Sequence, residues 1–201
     1  MSKVMIPEGY RSFLNFRQTE LAIKKVKDFF ERDLSTQLNL LRVSAPLFVS
    51  PESGLNDNLN GVERTVRFDL LCGQDVEIVQ SLAKWKRMAL SKYGFSEGTG
   101  LYTDMNAIRR DEDLDAIHSV YVDQWDWEKI ISKNQRRVTY LKATVKKIYN
   151  VLKKLSKTVE KNYPELVTRL PEEITFVSTK ELEQKYPTLS RKEREKAVTK
   201  E

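Results

Sequence analysis

The sequence predicts an α+β fold, a mainly antiparallel sheet flanked by helices. Apolar residues step by three and four over two long segments, around 18–38 and 138–159, which marks amphipathic helices. Several short segments, among them 40–47, 66–71, 75–79 and 118–126, carry strand-type residues, and 118–126 alternates cleanly. These elements mix irregularly instead of alternating strand with helix, so neighbouring strands are expected to run antiparallel.

In the first helix Ile23, Val26, Phe30, Leu34 and Leu38 line one face. Asn39 follows where a left-handed residue ends helices, a position that Asn fills after Gly. The strand at 40–47 places Leu41, Val43 and Ala45 on one side and has Pro46 near its end. Residues 50–61 are polar and turn-rich and read as an ordered loop of the kind that carries chemistry. Strands at 66–71 and 75–79 flank a Cys72-Gly73-Gln74 turn, and Ser81 is placed to cap a helix carrying Leu82, Trp85 and Ala89. Gly94, Gly98 and Gly100 mark a second loop, with no Gly-Lys-Ser/Thr to make it a phosphate loop.

A strand is then read up to Ile108. In the next one His118, Val120, Val122, Gln124 and Asp126 face one way, and Ser119, Tyr121, Asp123, Trp125 and Trp127 the other. Val138, Leu141, Val145, Ile148, Leu152, Leu155 and Val159 form the narrow seam of a long basic helix spanning 135–163. A short strand at 174–178 and charged helices at 179–185 and 190–201 complete the chain, which stops without a cap or breaker.

At 201 residues the chain is sized for one domain, with 1–14 as an extension. One cysteine excludes an intrachain disulfide, and no Cys/His spacing supports zinc, which points to a reducing, cytoplasmic compartment. No apolar run approaches ~18 residues, so membrane spanning is not expected. The net charge of +6 is local: residues 129–161 hold eleven Lys/Arg against Glu160 alone, leaving −4 elsewhere.

Each candidate side chain has an ordinary reading beside a functional one. Lys86 is an exposed charge beside Lys84 and Arg87, or a compact cation for a carboxylate or phosphate. Arg109 belongs to a charged turn, or presents a fork for bidentate phosphate contact. Gln124 and Asp126 lie on a wetted sheet face, or on one that receives a polar ligand. His118 has no partner pattern for a nucleophile and base. The lysines of the long helix read as a solvated face; the alternative is an RNA or anionic surface, and nucleic acid is not the expected partner.

Several strings together resemble ammonia-dependent asparagine synthetase, the aspartate–ammonia ligases. They are Ser81-Leu82-Ala83-Lys84-Trp85-Lys86-Arg87, Gly100-Leu101-Tyr102-Thr103, Arg109 with Asp111-Glu112-Asp113, and His118 through Glu128. Asp57-Asn58-Leu59 with Gly61, and Ala45-Pro46, agree. The likeness extends from about residue 15 to the end.

It implies a fold like the catalytic domain of class II aminoacyl-tRNA synthetases, incomplete at its C-terminus, and a homodimer when complete. The implied reaction joins aspartate and ammonia at the expense of ATP, through β-aspartyl-AMP, with Mg²⁺ assisting. By the same likeness Arg109 grips the α-phosphate and Asp57 holds ammonium and accepts its proton. Lys86 neutralises a substrate carboxylate, Asp126 pairs with the α-ammonium, Gln124 orients the reacting carbonyl, and Ser81 is a weaker substrate contact. Metal ligands and an arginine-bearing glycine-rich motif are expected in a C-terminal part that the family adds beyond residue 201. Residues 1–201 alone are therefore expected to turn over negligibly. The rival readings are a class II synthetase paralogue and a non-catalytic regulatory or RNA-binding remnant. The ligase reading requires Lys86, Arg109, Gln124 and Asp126 to point into one hollow.

Overall fold

The computed structural model describes residue 6 and residues 8–57, 59–115 and 118–200. Parts of the 1–14 extension, Asn58 of the quoted loop string, and Glu201 lie outside the described residues. The chain forms two compact units, Met1–Thr168 and Arg169–Glu201.

In the first unit α1 spans Phe16–Leu38. It starts two residues before the apolar stepping because Asn15 and Gln18 form a reciprocal cap, each side chain accepting from the other's backbone N–H at 2.9 Å. It ends as expected on Asn39, whose φ of 58° and ψ of 60° are left-handed. β1 (Leu40–Arg42) follows at once and pairs in parallel with β5 (Gly100–Ile108), which pairs antiparallel with β6 (Tyr121–Lys129).

The expected strand at 40–47 is thus cut short. After Val43 donates to the Tyr102 carbonyl at 2.9 Å the chain leaves that sheet, and Pro46, with no N–H, cannot continue a ladder. A second sheet orders β2 (Phe48–Val49), β4 (Asp75–Ile78) and β3 (Arg67–Asp69), all antiparallel. The β3–β4 hairpin turns at Gly73 (φ 79°), as the sequence predicts.

The first sheet is covered on both faces. On one, α1 and α3 (Val138–Asn162) bury Leu34, Leu38 and Val151 with Trp125 and Trp127. Tyr102 and Trp125 stack there with ring centroids 4.4 Å apart. On the other, α2 (Ala83–Lys92) buries Leu82, Trp85 and Ala89 against Leu101, Met105 and Ala107. Each of the buried Leu, Val and Met side chains contributes roughly 1.5–3 kcal/mol by leaving water, and the alanines less. The even residues of β6 therefore face α2 and the tryptophans face α1 and α3, the alternation read from the sequence.

Three local expectations are corrected. Leu82, not Ser81, is the N-cap of α2, and the Ser81 hydroxyl only accepts from Ala83 N–H at 3.3 Å; Leu82 is wholly buried, so packing sets the helix start. The α3 seam is rotated: Val151 is its buried residue while Val138 and Leu141 are exposed, because α1 covers only the later turns. Gly100 is the first residue of β5 and not loop. A β-carbon there would stand 2.2 Å from the Glu128 carbonyl oxygen, so only glycine admits the strand pairing at this point.

In the second unit α4 (Thr179–Lys185) and α5 (Arg191–Val198) start on the capping boxes of Ser178 with Glu181 and Ser190 with Glu193. The strand expected at 174–178 does not form among the described residues; Ile174 and Phe176 keep half-buried alternation, but no ladder engages them. No helix among the described residues is long and apolar enough to cross a membrane.

Candidate active site

The β5–β6 register sets the positions of the predicted site residues. Thr103 lies opposite Asp126, Met105 opposite Gln124 and Ala107 opposite Val122, and Arg109 continues the ladder by donating its N–H to the Val120 carbonyl at 2.7 Å. Asp126, Gln124 and Arg109 are thus set along one row on the face that α2 covers. At ~3.4 Å per residue, Arg109 stands ~14 Å of strand from the Gln124 pair and ~20 Å from the Asp126 pair.

At the α2 end of this row Lys86 is buried, its side chain 3% exposed, and its Nζ lies 2.5 Å from Asp126 Oδ1. The same Nζ donates to the Trp127 carbonyl at 3.3 Å. The position on α2 beside Trp85 directs the lysine inward, which its sequence neighbours Lys84 and Arg87 do not disclose. Desolvating an ammonium is costly unless it is paired, and Asp126 supplies the pair.

At the other end Arg109 lines a cavity of about 440 Å³ with Gln80, Asn60, Glu63, Arg110 and Glu112. The neighbouring cations are committed: Arg110 donates to the Thr65 carbonyl, and Arg64 grips Asp111 with its backbone N–H at 2.8 Å and its Nε at 3.0 Å. That grip, chiefly the side-chain hydrogen bond, holds the Asp111 carboxyl down at about 2. Arg109, Gln124 and half-buried Asp57 make no side-chain hydrogen bond or ion pair among the described residues. Three of the six predicted residues are therefore unengaged.

The structure thus joins Lys86 to Asp126 and sets Gln124 and Arg109 along the same face, but the cavity that Arg109 lines, toward the loop that carries Asp57, includes none of the other three, so the single hollow expected of the four is not formed there. Ser81, half-buried, starts the turn into α2. A larger apolar groove of about 600 Å³, bounded by Trp127, Ile131, Val138 and Leu141, holds none of these residues.

Sequence reasoning missed a buried polar cluster behind the loop. Asn56, Glu77 and Gln80 are 5%, 6% and 2% exposed. Asn56 Nδ2 donates to Glu77 Oε1 and to the Ile78 carbonyl, both at 3.1 Å, and its Oδ1 accepts from Gln80 N–H at 2.8 Å. Gln80 Nε2 donates to the Arg64 carbonyl at 3.1 Å, whereas Gln80 Oε1 is buried without a hydrogen-bond partner. A buried carbonyl left so costs about 1–3 kcal/mol. The one signal in the sequence was Glu77, an acid inside a short strand.

Among the described residues no group of three or more His, Cys, Asp or Glu converges as a metal site.

A family model described as aspartate–ammonia ligase matches residues 17–201. The aspartate–ammonia ligase of Fusobacterium nucleatum is 65% identical over 193 residues, covering 96% of this chain and 59% of that protein. The ligase of Ruminiclostridium cellulolyticum is 61% identical over 203 residues, covering all of this chain and 60% of its own length. That of Clostridium perfringens is 58% identical over the same shares. The chain thus spans about three fifths of the length of these relatives. Among solved structures, a pyrrolysyl-tRNA synthetase from Desulfitobacterium hafniense superposes with a TM-score of 0.50 at 12% identity, over 68% of this chain and 48% of that one. The fold is of the class II synthetase kind.

Proposed function

Because the chain belongs to the aspartate–ammonia ligase family, we propose that it is the portion of such a ligase that binds aspartate and activates its side chain with ATP. The observation that carries this is the row on the α2 face: buried Lys86 paired with Asp126, then Gln124, then an uncommitted Arg109. A zwitterionic amino acid presents both charges of that pair. It inserts by giving a carboxylate to Lys86 and its α-ammonium to Asp126, so the buried lysine and the partly exposed aspartate each exchange one partner for another.

Arg109 then meets the α-phosphate, where attack by the side-chain carboxylate brings two anions together and a fixed cation offsets the charge. The carboxylate oxygen forms the bond to phosphorus, pyrophosphate leaves, and Gln124 orients the resulting acyl carbonyl. Ammonia then adds at that carbon and AMP leaves. Ammonium must first lose a proton, and Asp57, a half-buried carboxylate, accepts it. Ser81 supplies a further polar contact. ATP is the co-substrate. Mg²⁺ binding is assigned to the part of the longer polypeptide that the relatives possess, and no step here is routed through it.

Activity therefore belongs to the polypeptide of full family length, a cytoplasmic enzyme acting as a homodimer. The test separates the two half-reactions in that polypeptide. Asp57→Asn is expected to retain aspartate-dependent exchange of pyrophosphate into ATP while amide formation falls by about 100-fold, the usual worth of a general base. Loss of both steps together would refute the role given to Asp57.

A further inference from the structure

We propose that the side-chain carbonyl of Gln80 is a binding group for the ammonium substrate, accepting one of its N–H bonds in the cavity that also holds Arg109. The inference rests on the ligase reading above and adds to it a residue that the reading does not use.

Gln80 is 2% exposed, and its Oε1 is the one buried side-chain polar atom without a partner among the described residues. The amide cannot satisfy itself by turning over. Its Nε2 donates to the Arg64 carbonyl at 3.1 Å, and exchanging the two ends would set one oxygen against another. Its backbone N–H is held by Asn56 Oδ1 at 2.8 Å. The bond from Nε2 fixes the amide, the bond from the backbone N–H anchors its Cα, and the free oxygen belongs to a side chain that forms part of the Arg109 cavity.

The chemistry of the donor follows from these surroundings. Asn56, whose Oδ1 accepts from the Gln80 backbone N–H, directly precedes Asp57, so Gln80 is tied to the loop at the position next to the proposed proton acceptor. Ammonium carries four N–H donors and no lone pair, and needs more than one acceptor to leave water. A carboxylate takes its proton, whereas an amide carbonyl holds it without titrating. A compact donor also suits so deeply buried an oxygen better than a group borne on a large ligand. The α-ammonium of aspartate is already matched to Asp126 at the opposite end of the row. The other donors in such a site are the ribose hydroxyls of the nucleotide, and the experiment distinguishes them.

In the polypeptide of full family length, Gln80→Met keeps the length of the side chain and removes the acceptor. The ammonium KM should rise by about 10–100-fold, the worth of a hydrogen bond to a charged donor, while aspartate-dependent pyrophosphate exchange stays within about twofold. Gln80→Glu retains an oxygen at that position, and its ammonium KM should stay at or below the parent value. Equal rises in both variants would overturn the proposal, since only the Nε2 bond to Arg64 is lost in common. A raised ATP KM with unchanged ammonium dependence would assign the carbonyl to ribose instead. If Gln80→Met does not fold, Gln80→Glu decides alone: an ammonium KM above the parent's overturns the proposal, and one at or below it supports it. Absence of exchange in the unsubstituted enzyme would sink the ligase reading itself, a separate result.

Discussion

Lys86→Met tests the centre of the site most directly. Methionine keeps most of the lysine stem and its packing beside Trp85 but removes the charge, leaving the Asp126 carboxylate unpaired. Breaking a fully buried ion pair costs about 3–5 kcal/mol, whereas exposed pairs are worth about 0–1. Here the lysine side chain is 3% exposed and the aspartate 33%, so Asp126 regains part of its hydration. The loss is therefore placed between those limits, at about 2 kcal/mol, or a Tm lower by about 4–8 °C for a chain of this size. Urea unfolding of Lys86→Met, Asp126→Asn and the double variant gives the coupling, expected to be at least ~1 kcal/mol. The same lysine change in the full-length polypeptide should weaken aspartate binding by about 100-fold, as befits a lost charge-assisted contact of up to ~3 kcal/mol. A coupling near zero would show that the pair contributes nothing. Loss of stability with unaltered aspartate dependence would make Lys86 purely structural and refute its assignment.

Two further outcomes follow from the geometry. Gly100→Ala forces a β-carbon to 2.2 Å from the Glu128 carbonyl oxygen and 2.8 Å from Leu40 Cδ2; overpacking at this β5–β6 crossing should cost about 3 kcal/mol or more in urea unfolding, or leave the protein insoluble. The Arg64–Asp111 link should show itself in acid. Because folding lowers the Asp111 carboxyl to about 2, its stabilisation is complete above the ordinary carboxyl value near ~4 and is lost as pH falls from there through about 2. Proteolytic cleavage of the 55–65 loop should therefore be flat between neutral pH and about 5, then rise below about 4, and Asp111→Asn should abolish that rise.

Much of the fold was legible because local signals and packing agree. Asn39 is left-handed where the stepping of α1 runs out, and the β6 alternation divides polar residues from tryptophans as its two faces are divided between α2 and the α1–α3 pair. The errors arose where pairing or packing overrode local pattern. Residues 174–178 alternate like a strand, yet a strand exists only where a neighbour supplies a ladder. The α3 seam was counted at the ideal heptad spacing, but its buried side is set by where α1 lies, so Val151 is inside and Leu141 outside.

The candidate site divides in the same way. Residue type and order left Lys86, Arg109, Gln124 and Asp126 with ordinary surface readings as well as functional ones, and it was the resemblance to the ligase family that singled them out. Their order along one sheet face follows from a register that no local pattern states. Tertiary structure alone decided that Lys86 is buried against Asp126, that Arg109 opens on a separate cavity, and that Gln80 is fixed by Asn56 and Arg64. Each of those depends on atoms brought together from distant parts of the chain, where exclusion of water turns a polar group into either a partner or a cost.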